Sequence, residues 1–279
     1  MLGKNHSFIH VVLTAKVNKK LKKQIESSIF HDKKRVLHLN FMELVIDSGN
    51  TFSKAGWFEN NQLVRSVYGL KFDELAQWVK KYPAQRAIIS TVSIQIDDFV
   101  RQLQLNIPFL HLTNKTPLPI GVDYDTPTTL GVDRLAAAVG ANYLYPKRNL
   151  MVIDAGTCIT YDLIDQAGVF QGGAIAPGMR MRFKAMHLLT SRLPLVEDYD
   201  AKLLIGKSTQ SAMQSGVVNG MLAEITGMAQ AYREKYPQLE IVMCGGDLQF
   251  FESRVKLPIF AVPELVLVGL NRILQYNDI

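Results

Sequence analysis

From Met42 onward the apolar positions switch repeatedly between a period of two and a period near 3.6, and each switch marks an element. "MELVIDSGNT" (Met42 to Thr51) is a strand driven into an Asp-x-Gly turn, and "FSKAGWFENNQLVRSVYG" a hairpin turning at Glu59-Asn60-Asn61. "KFDELAQWVKKYP" sets Phe72, Leu75, Ala76 and Val79 at the i, i+3, i+4, i+7 spacing of an amphipathic helix, which Pro83 stops. "RAIISTVS" predicts a short buried strand and "DDFVRQLQ" a helix. "PTTLGVDRLAAAVGANYLYP" predicts one helix, opened by Thr128/Thr129 and closed by Pro146.

The programme then restarts. "NLMVIDAGTCITYDLIDQAGVFQGGAIAPG" reads as strand, Asp-x-Gly turn, strand, Asp-Gln-Ala-Gly turn and a further strand. The helices "MRMRFKAMHLLTSRL" and "TQSAMQSGVVNGMLAEITGMAQAYREKY" follow, then a buried strand "EIVMCGG" and a closing helix "ELVLVGLNRILQY". Val45-Ile46-Asp47-x-Gly49 matches Val152-Ile153-Asp154-x-Gly156, and the hairpin pattern after each agrees, so the α/β chain reads as an internal duplication. "GGAIAPG" (Gly172 to Gly178) is too rich in Gly and Pro for a strand, and better suits backbone pressed against a ligand or a partner subunit.

Charge changes the picture in one place. The net +6 is concentrated in residues 1–41, where nine Lys and Arg stand against Glu26 and Asp32; 22 basic and 23 acidic residues remain beyond. The basicity therefore belongs to an N-terminal appendage, and nucleic acid is not the expected partner of the core. "SFIHVVLTA" has its lysines after the apolar stretch, the reverse of a secretory signal, and the extension reads as dispensable, with Met42 an alternative start. No apolar run approaches the ~20 residues of a membrane span. Cys158 and Cys244 lie far apart, which argues against a disulfide framework and suits a reducing, cytoplasmic setting.

The chemistry sits on the repeated turns. A glycine beyond a strand lets backbone N–H groups approach a ligand closely. An ionised aspartate on the same turn would repel a bare phosphate, so Asp-x-Gly followed by Asn or Thr calls for a cation between carboxylate and phosphate. A competing motif, "AKLLIGKST" (Ala201 to Thr209), ends like a phosphate-binding P-loop but has Leu203, Leu204 and Ile205 where the chain must wrap phosphate, and is rejected. "MRMRFK" reads as a solvated helix face, and His187 as a core or interface histidine.

"DSGNT", "GVDR" (Gly131 to Arg134), "DAGTCIT", "GGAIAPG", "GKSTQSAMQSG" and "CGGD" (Cys244 to Asp247) occur in the order seen in type III pantothenate kinases, which the chain resembles from Met42 to its C-terminus. The resemblance implies two duplicated ribonuclease H-like (actin-like ATPase) domains with a central cleft, at 42–148 and 149–279, behind the 1–41 extension. It implies transfer of the γ-phosphoryl of ATP to pantothenate, with Mg2+ and a monovalent cation (K+ or NH4+), in a homodimer whose pantothenate pocket is completed across the interface. Asp47, Ser48, Gly49, Asn50, Thr51, Phe52, Ser53 and Lys54 would form the first phosphate turn, and Thr157 an ATP contact on the second. Asp133 would be the general base. Tyr124, Gly131, Val132, Arg134 and Thr209 would contact pantothenate, Asp154 would hold the monovalent cation, and "CGGD" would lie near adenosine. Two departures stand out: the family usually has Thr at position 244 and Ala at 158, where this chain has Cys244 and Cys158. A kinase of the same superfamily with another acceptor, and a non-catalytic transcriptional accessory protein, are the competing readings.

Overall fold

The computed structural model describes residues 41–49, 52–91, 95–200 and 203–278; the basic extension, apart from Phe41, lies outside them. Two mixed sheets form the frame. The first contains β1 (Met42–Ser48), β2 (Ser53–Glu59), β3 (Gln62–Leu70), β4 (Arg86–Thr91) and β5 (Phe109–His111) in the order β3-β2-β1-β4-β5. The second contains β7 (Leu150–Ala155), β8 (Cys158–Ile164), β9 (Val169–Pro177), β10 (Glu240–Cys244) and β11 (Phe260–Ala261) in the order β11-β10-β7-β8-β9, with β6 (Gly121–Val122) added beside β9. In each, the first three strands are antiparallel neighbours and the last two run parallel to the first. Strand for strand, the second sheet repeats the first.

The hairpin turn shows why the local sequence works. Asn60 and Asn61 both take positive φ (50° and 64°), the left-handed conformation that two-residue hairpin turns need and that asparagine tolerates. The helices are α1 (Phe72–Lys81), α2 (Ile96–Leu103), α3 (Val132–Leu144), α4 (Met179–Leu189), α5 (Thr209–Lys235), the short α6 (Leu248–Glu252) and α7 (Leu265–Asn277). Two expectations are corrected. The helix expected from Thr128 breaks into a 3-10 turn at Pro127–Thr129 and α3, because Leu130 and Gly131 are extended. "GGAIAPG" runs within β9 as far as Pro177, since its glycines let the strand pass close to β8: a Cβ on Gly173 would sit 2.2 Å from the Tyr161 carbonyl oxygen.

Side chains alternate across a strand, so each sheet buries two faces. Leu44 and Ile46 of β1 pack outward with Leu75 of α1 and Phe99 of α2, whereas Val45 and Ile88 pack inward with residues of α3 and α7. On β7, Met151 and Ile153 face α4 and α5, and Val152 faces the same central layer as Val45. α3 packs on β7 and β8 of the second sheet, and α7 on β1, β2 and β4 of the first. A polar lock fixes α7 there. The buried Glu43 carboxylate accepts from Arg86 Nε (2.9 Å), Asn271 Nδ2 (2.7 Å) and Gln275 Nε2 (2.6 Å). Multiple donors offset the cost of burying that charge.

Ser90, in register with Asp47, is fully buried, and among the described residues its hydroxyl has no hydrogen-bond partner. An unpaired buried hydroxyl costs about 1–3 kcal/mol. Ser90→Ala is therefore expected to raise the melting temperature by roughly 2–6 °C. A fall on thermal denaturation would mean that the hydroxyl is bonded in solution.

Candidate functional site

Strand alternation dictates where the two repeated aspartates point. Asp47 lies two residues beyond Val45 and Asp154 two beyond Val152, so both project from strand ends toward the central layer between the sheets. Asp133 enters the same space from the first turn of α3. Electrostatically, Asp154 is coupled to both of the others. Burial raises the pKa of Asp154, the Lys54 ammonium opposes that, and the charges of Asp133 and Asp47 push it further up. Lys54, on β2, stands directly opposite Asp47 of β1, with Nζ 3.0 Å from Oδ2. Burial alone would lower its pKa, but Asp47 and then Asp154 outweigh that and hold the ammonium firmly charged. Asp47 and Asp154 thus share one lysine, and the charge of Asp133 bears on Asp154 as well, which leaves the cluster short of positive charge.

The turns themselves are backbone devices. Gly49 N–H donates to the Phe52 carbonyl (3.1 Å), and Gly156 N–H to that of Cys158 (2.9 Å). Ser48 and Ser53 hydroxyls meet at 3.0 Å beneath the first turn, while Gly49 and Phe52 are exposed at its tip. Asn50 and Thr51 lie outside the described residues. Thr157 is exposed on the second turn, and its carbonyl accepts the Gly178 N–H at 3.2 Å. No side chain would fit at Gly178, where a Cβ would lie 2.4 Å from the Gly156 oxygen. Gly245, at φ +100°, closes the other flank, where a Cβ would meet Asp154 Oδ1 at 2.5 Å. Cys244 pairs in register with Asp154 and is kept a neutral thiol, its pKa pushed well up by burial.

Beside Asp133 lies a second polar cluster. Asp133 Oδ1 accepts the Arg134 N–H at 2.9 Å, and a Cβ on Gly131 would crowd that oxygen at 2.5 Å, so the glycine leaves the carboxylate room at the helix start. Val132 opens α3. The Arg134 guanidinium pairs with the buried Asp162, Nε reaching its two oxygens at 3.0 and 3.3 Å. It stands 6.0 Å from the Tyr124 ring centroid and 5.7 Å from that of Phe170. Burial raises the Asp162 pKa while Arg134 opposes it. Sequence reasoning missed Asp162, although a lone carboxylate inside the apolar strand "CITYDLI" was a usable signal.

Thr209 lines a cavity of its own. It is exposed at the start of α5, on a cavity of about 610 Å³ shared with Arg182, Met186, Leu193 and Met213, and none of Asp47, Lys54, Asp133 or Asp154 lines that cavity. The preceding Ser208 caps the helix by accepting from Ser211 N–H, so "GKST" is a helix start. His187 is exposed, with Nδ1 2.8 Å from the Leu193 carbonyl, so of the core and interface roles expected for it the core one does not hold.

The chain is similar to known proteins in sequence and in fold. A family model of type III pantothenate kinases matches residues 43–231. Type III pantothenate kinases of Phocaeicola vulgatus and Cytophaga hutchinsonii are 44% and 43% identical, over 85% of this chain and 99% and 100% of theirs. Among solved structures, a Baf family transcriptional activator from Campylobacter jejuni superposes with a TM-score of 0.57 at 22% identity, covering 84% of this chain and 98% of its own. A protein described as an N-acetylmannosamine kinase, from Listeria monocytogenes, does so with a TM-score of 0.51 at 10% identity, covering 85% and 100%. These two likenesses bear on the fold alone, which is the two-domain, ribonuclease H-like α/β architecture.

Proposed function

The chain belongs to the type III pantothenate kinase family, and from that premise we propose that it transfers the γ-phosphoryl group of ATP to the primary hydroxyl of pantothenate, yielding 4′-phosphopantothenate and ADP. The observation that carries this reading is that Asp47 and Asp154, at the ends of duplicated strands, share Lys54, with the charge of Asp133 acting on Asp154 from the start of α3. Phosphoryl transfer needs mainly positioning and charge neutralisation. Asp133, exposed at a helix start, accepts the hydroxyl proton as the new O–P bond forms and the bond to ADP breaks. Lys54 meets the β- and γ-phosphates, and the backbone of Gly49 and Gly156 borders them. Arg134 and Tyr124 hold the acceptor, with Asp162 fixing the guanidinium.

The donor set suits hard cations. Among the described residues no three His, Cys, Asp or Glu side chains form a ready-made metal cage, which fits Mg2+ that arrives with ATP and keeps water and phosphate oxygens as ligands. Asp47 is the carboxylate we assign to it, where it would neutralise phosphate charge. Asp154, crowded by two like charges, is the one we assign to K+ or NH4+. We further infer a homodimer in which Thr209, on a cavity that Asp133 does not line, serves the acceptor pocket of the second copy, and the exposed Leu188, Leu189, Leu204 and Ile205 offer apolar surface for the interface. Among the described residues no helix is long and apolar enough to cross a membrane, which is compatible with our cytoplasmic assignment.

The test is a product assay. The full chain, given ATP, Mg2+ and pantothenate, is expected to form 4′-phosphopantothenate, detected by mass, faster in K+ or NH4+ than in Na+. ATP consumption without that product would redirect the reading to another acceptor. No turnover under any cation would favour a non-catalytic role.

A further inference from the structure

Two arginines on α4, two residues apart, have different fates. Arg182 is committed: Nε donates to the Pro177 carbonyl and NH2 to Glu224, each at 2.7 Å. Arg180 is not. Its side chain is 68% exposed, and among the described residues its one ion-pair partner, Asp247, is 3.8 Å away, beyond hydrogen-bond distance. Asp247 is the opposite case, a carboxylate only 12% exposed, whose pKa burial raises and Arg180 pulls back.

The position of this loose pair is specific. Asp247 N–H donates to the Ala155 carbonyl at 2.9 Å, tying its loop to the end of β7. Gly178, which caps α4, donates to Thr157. Arg180 and Asp247 therefore bridge the two backbone segments that flank the Gly156–Thr157 turn. The site behind them sets Asp47 and Asp154 against one lysine, with the charge of Asp133 acting on Asp154, and a nucleoside triphosphate brings net negative charge even with its divalent ion. More positive charge is needed on the side of the second turn.

We propose that Arg180 is a nucleotide-positioning residue, which leaves Asp247 to bind the non-transferred phosphates of ATP; this rests on the kinase reading above. A guanidinium grips phosphate oxygens in pairs, which an exposed, weakly held arginine can do without breaking the fold. Contacts to non-reacting phosphates strengthen ground state and transition state alike, so they appear in KM.

The experiment compares the full chain with Arg180→Ala and Arg180→Lys, by calorimetric titration with ATP and with inorganic tripolyphosphate, and by steady-state kinetics. Arg180→Ala is expected to weaken both ligands by about tenfold and to raise the KM for ATP by a similar factor. The KM for pantothenate and the melting temperature without nucleotide should hold, and Arg180→Lys should recover part of the loss. Equal ATP affinity in the parent and Arg180→Ala overturns the role of Arg180 while leaving the kinase reading intact. A drop in melting temperature or in pantothenate affinity that parallels the loss makes the residue structural and also overturns it. A parent chain that binds no nucleotide removes both.

Discussion

Asp133→Asn is expected to lower kcat by about 10²- to 10⁴-fold, the usual worth of a positioned general base, with little change in the KM for pantothenate. The asymmetry follows from what the amide keeps and loses. Asparagine still offers an oxygen to the Arg134 N–H, now 2.9 Å from Oδ1, and still fits the space left by Gly131. It cannot take the hydroxyl proton. The fold should not suffer, since the side chain is exposed and its charge raises the pKa of both Asp154 and Asp162. Relief of that repulsion predicts a melting temperature equal to the parent's or slightly above it. Steady-state kinetics beside thermal denaturation checks both halves. Turnover within a few-fold of the parent would remove Asp133 as the base, and lost turnover with a lower melting temperature would make it a structural residue.

Much of this site is legible in the sequence because its signals are local. Asp47 and Asp154 each end an apolar strand before a glycine, and strand alternation alone sends them to the side occupied by Val45 and Val152. The hairpin is written in Asn60-Asn61, and α1 in the spacing of Phe72, Leu75 and Val79. What could not be read depends on pairing at a distance. Gly121–Val122 joins the second sheet through contacts with β9, and two residues carry no pattern. Nor does any window of sequence announce that Arg134 will meet Asp162 or that Glu43 will be held from α7. The helix expected from Thr128 started late because the pattern registers apolar spacing and not the extended backbone at Leu130 and Gly131. The site's aspartates were thus visible singly, and their convergence was a property of the duplicated topology.

That convergence depends on how closely α3 and α7 cross, which makes Gly269→Ala the substitution expected to destabilise most. A Cβ on Gly269 would lie 1.8 Å from the Ala136 carbonyl oxygen and 2.9 Å from the Gly140 nitrogen, while one on Gly140 would lie 2.3 Å from the Leu265 oxygen. All three obstacles are backbone, so no rotamer change relieves them and the helices must move apart. α3 carries Asp133 in its first turn and α7 is bolted to β1 through Glu43, so separation strains the central layer from both sides. Overpacking of this kind costs roughly 3 kcal/mol or more, partly offset by the up to ~1 kcal/mol by which alanine outranks glycine in a helix. The net expectation is a melting temperature lower by roughly 4–10 °C. Gly227→Ala, on α5, is the matched control, because nothing lies within 4 Å of its added Cβ. There the helix preference acts alone, and a gain of about 0.5–1 kcal/mol is expected. If thermal denaturation shows Gly269→Ala melting at or above the parent, as Gly227→Ala should, the two helices do not cross at their glycines, and the placement of Asp133 between the two turns loses its mechanical basis.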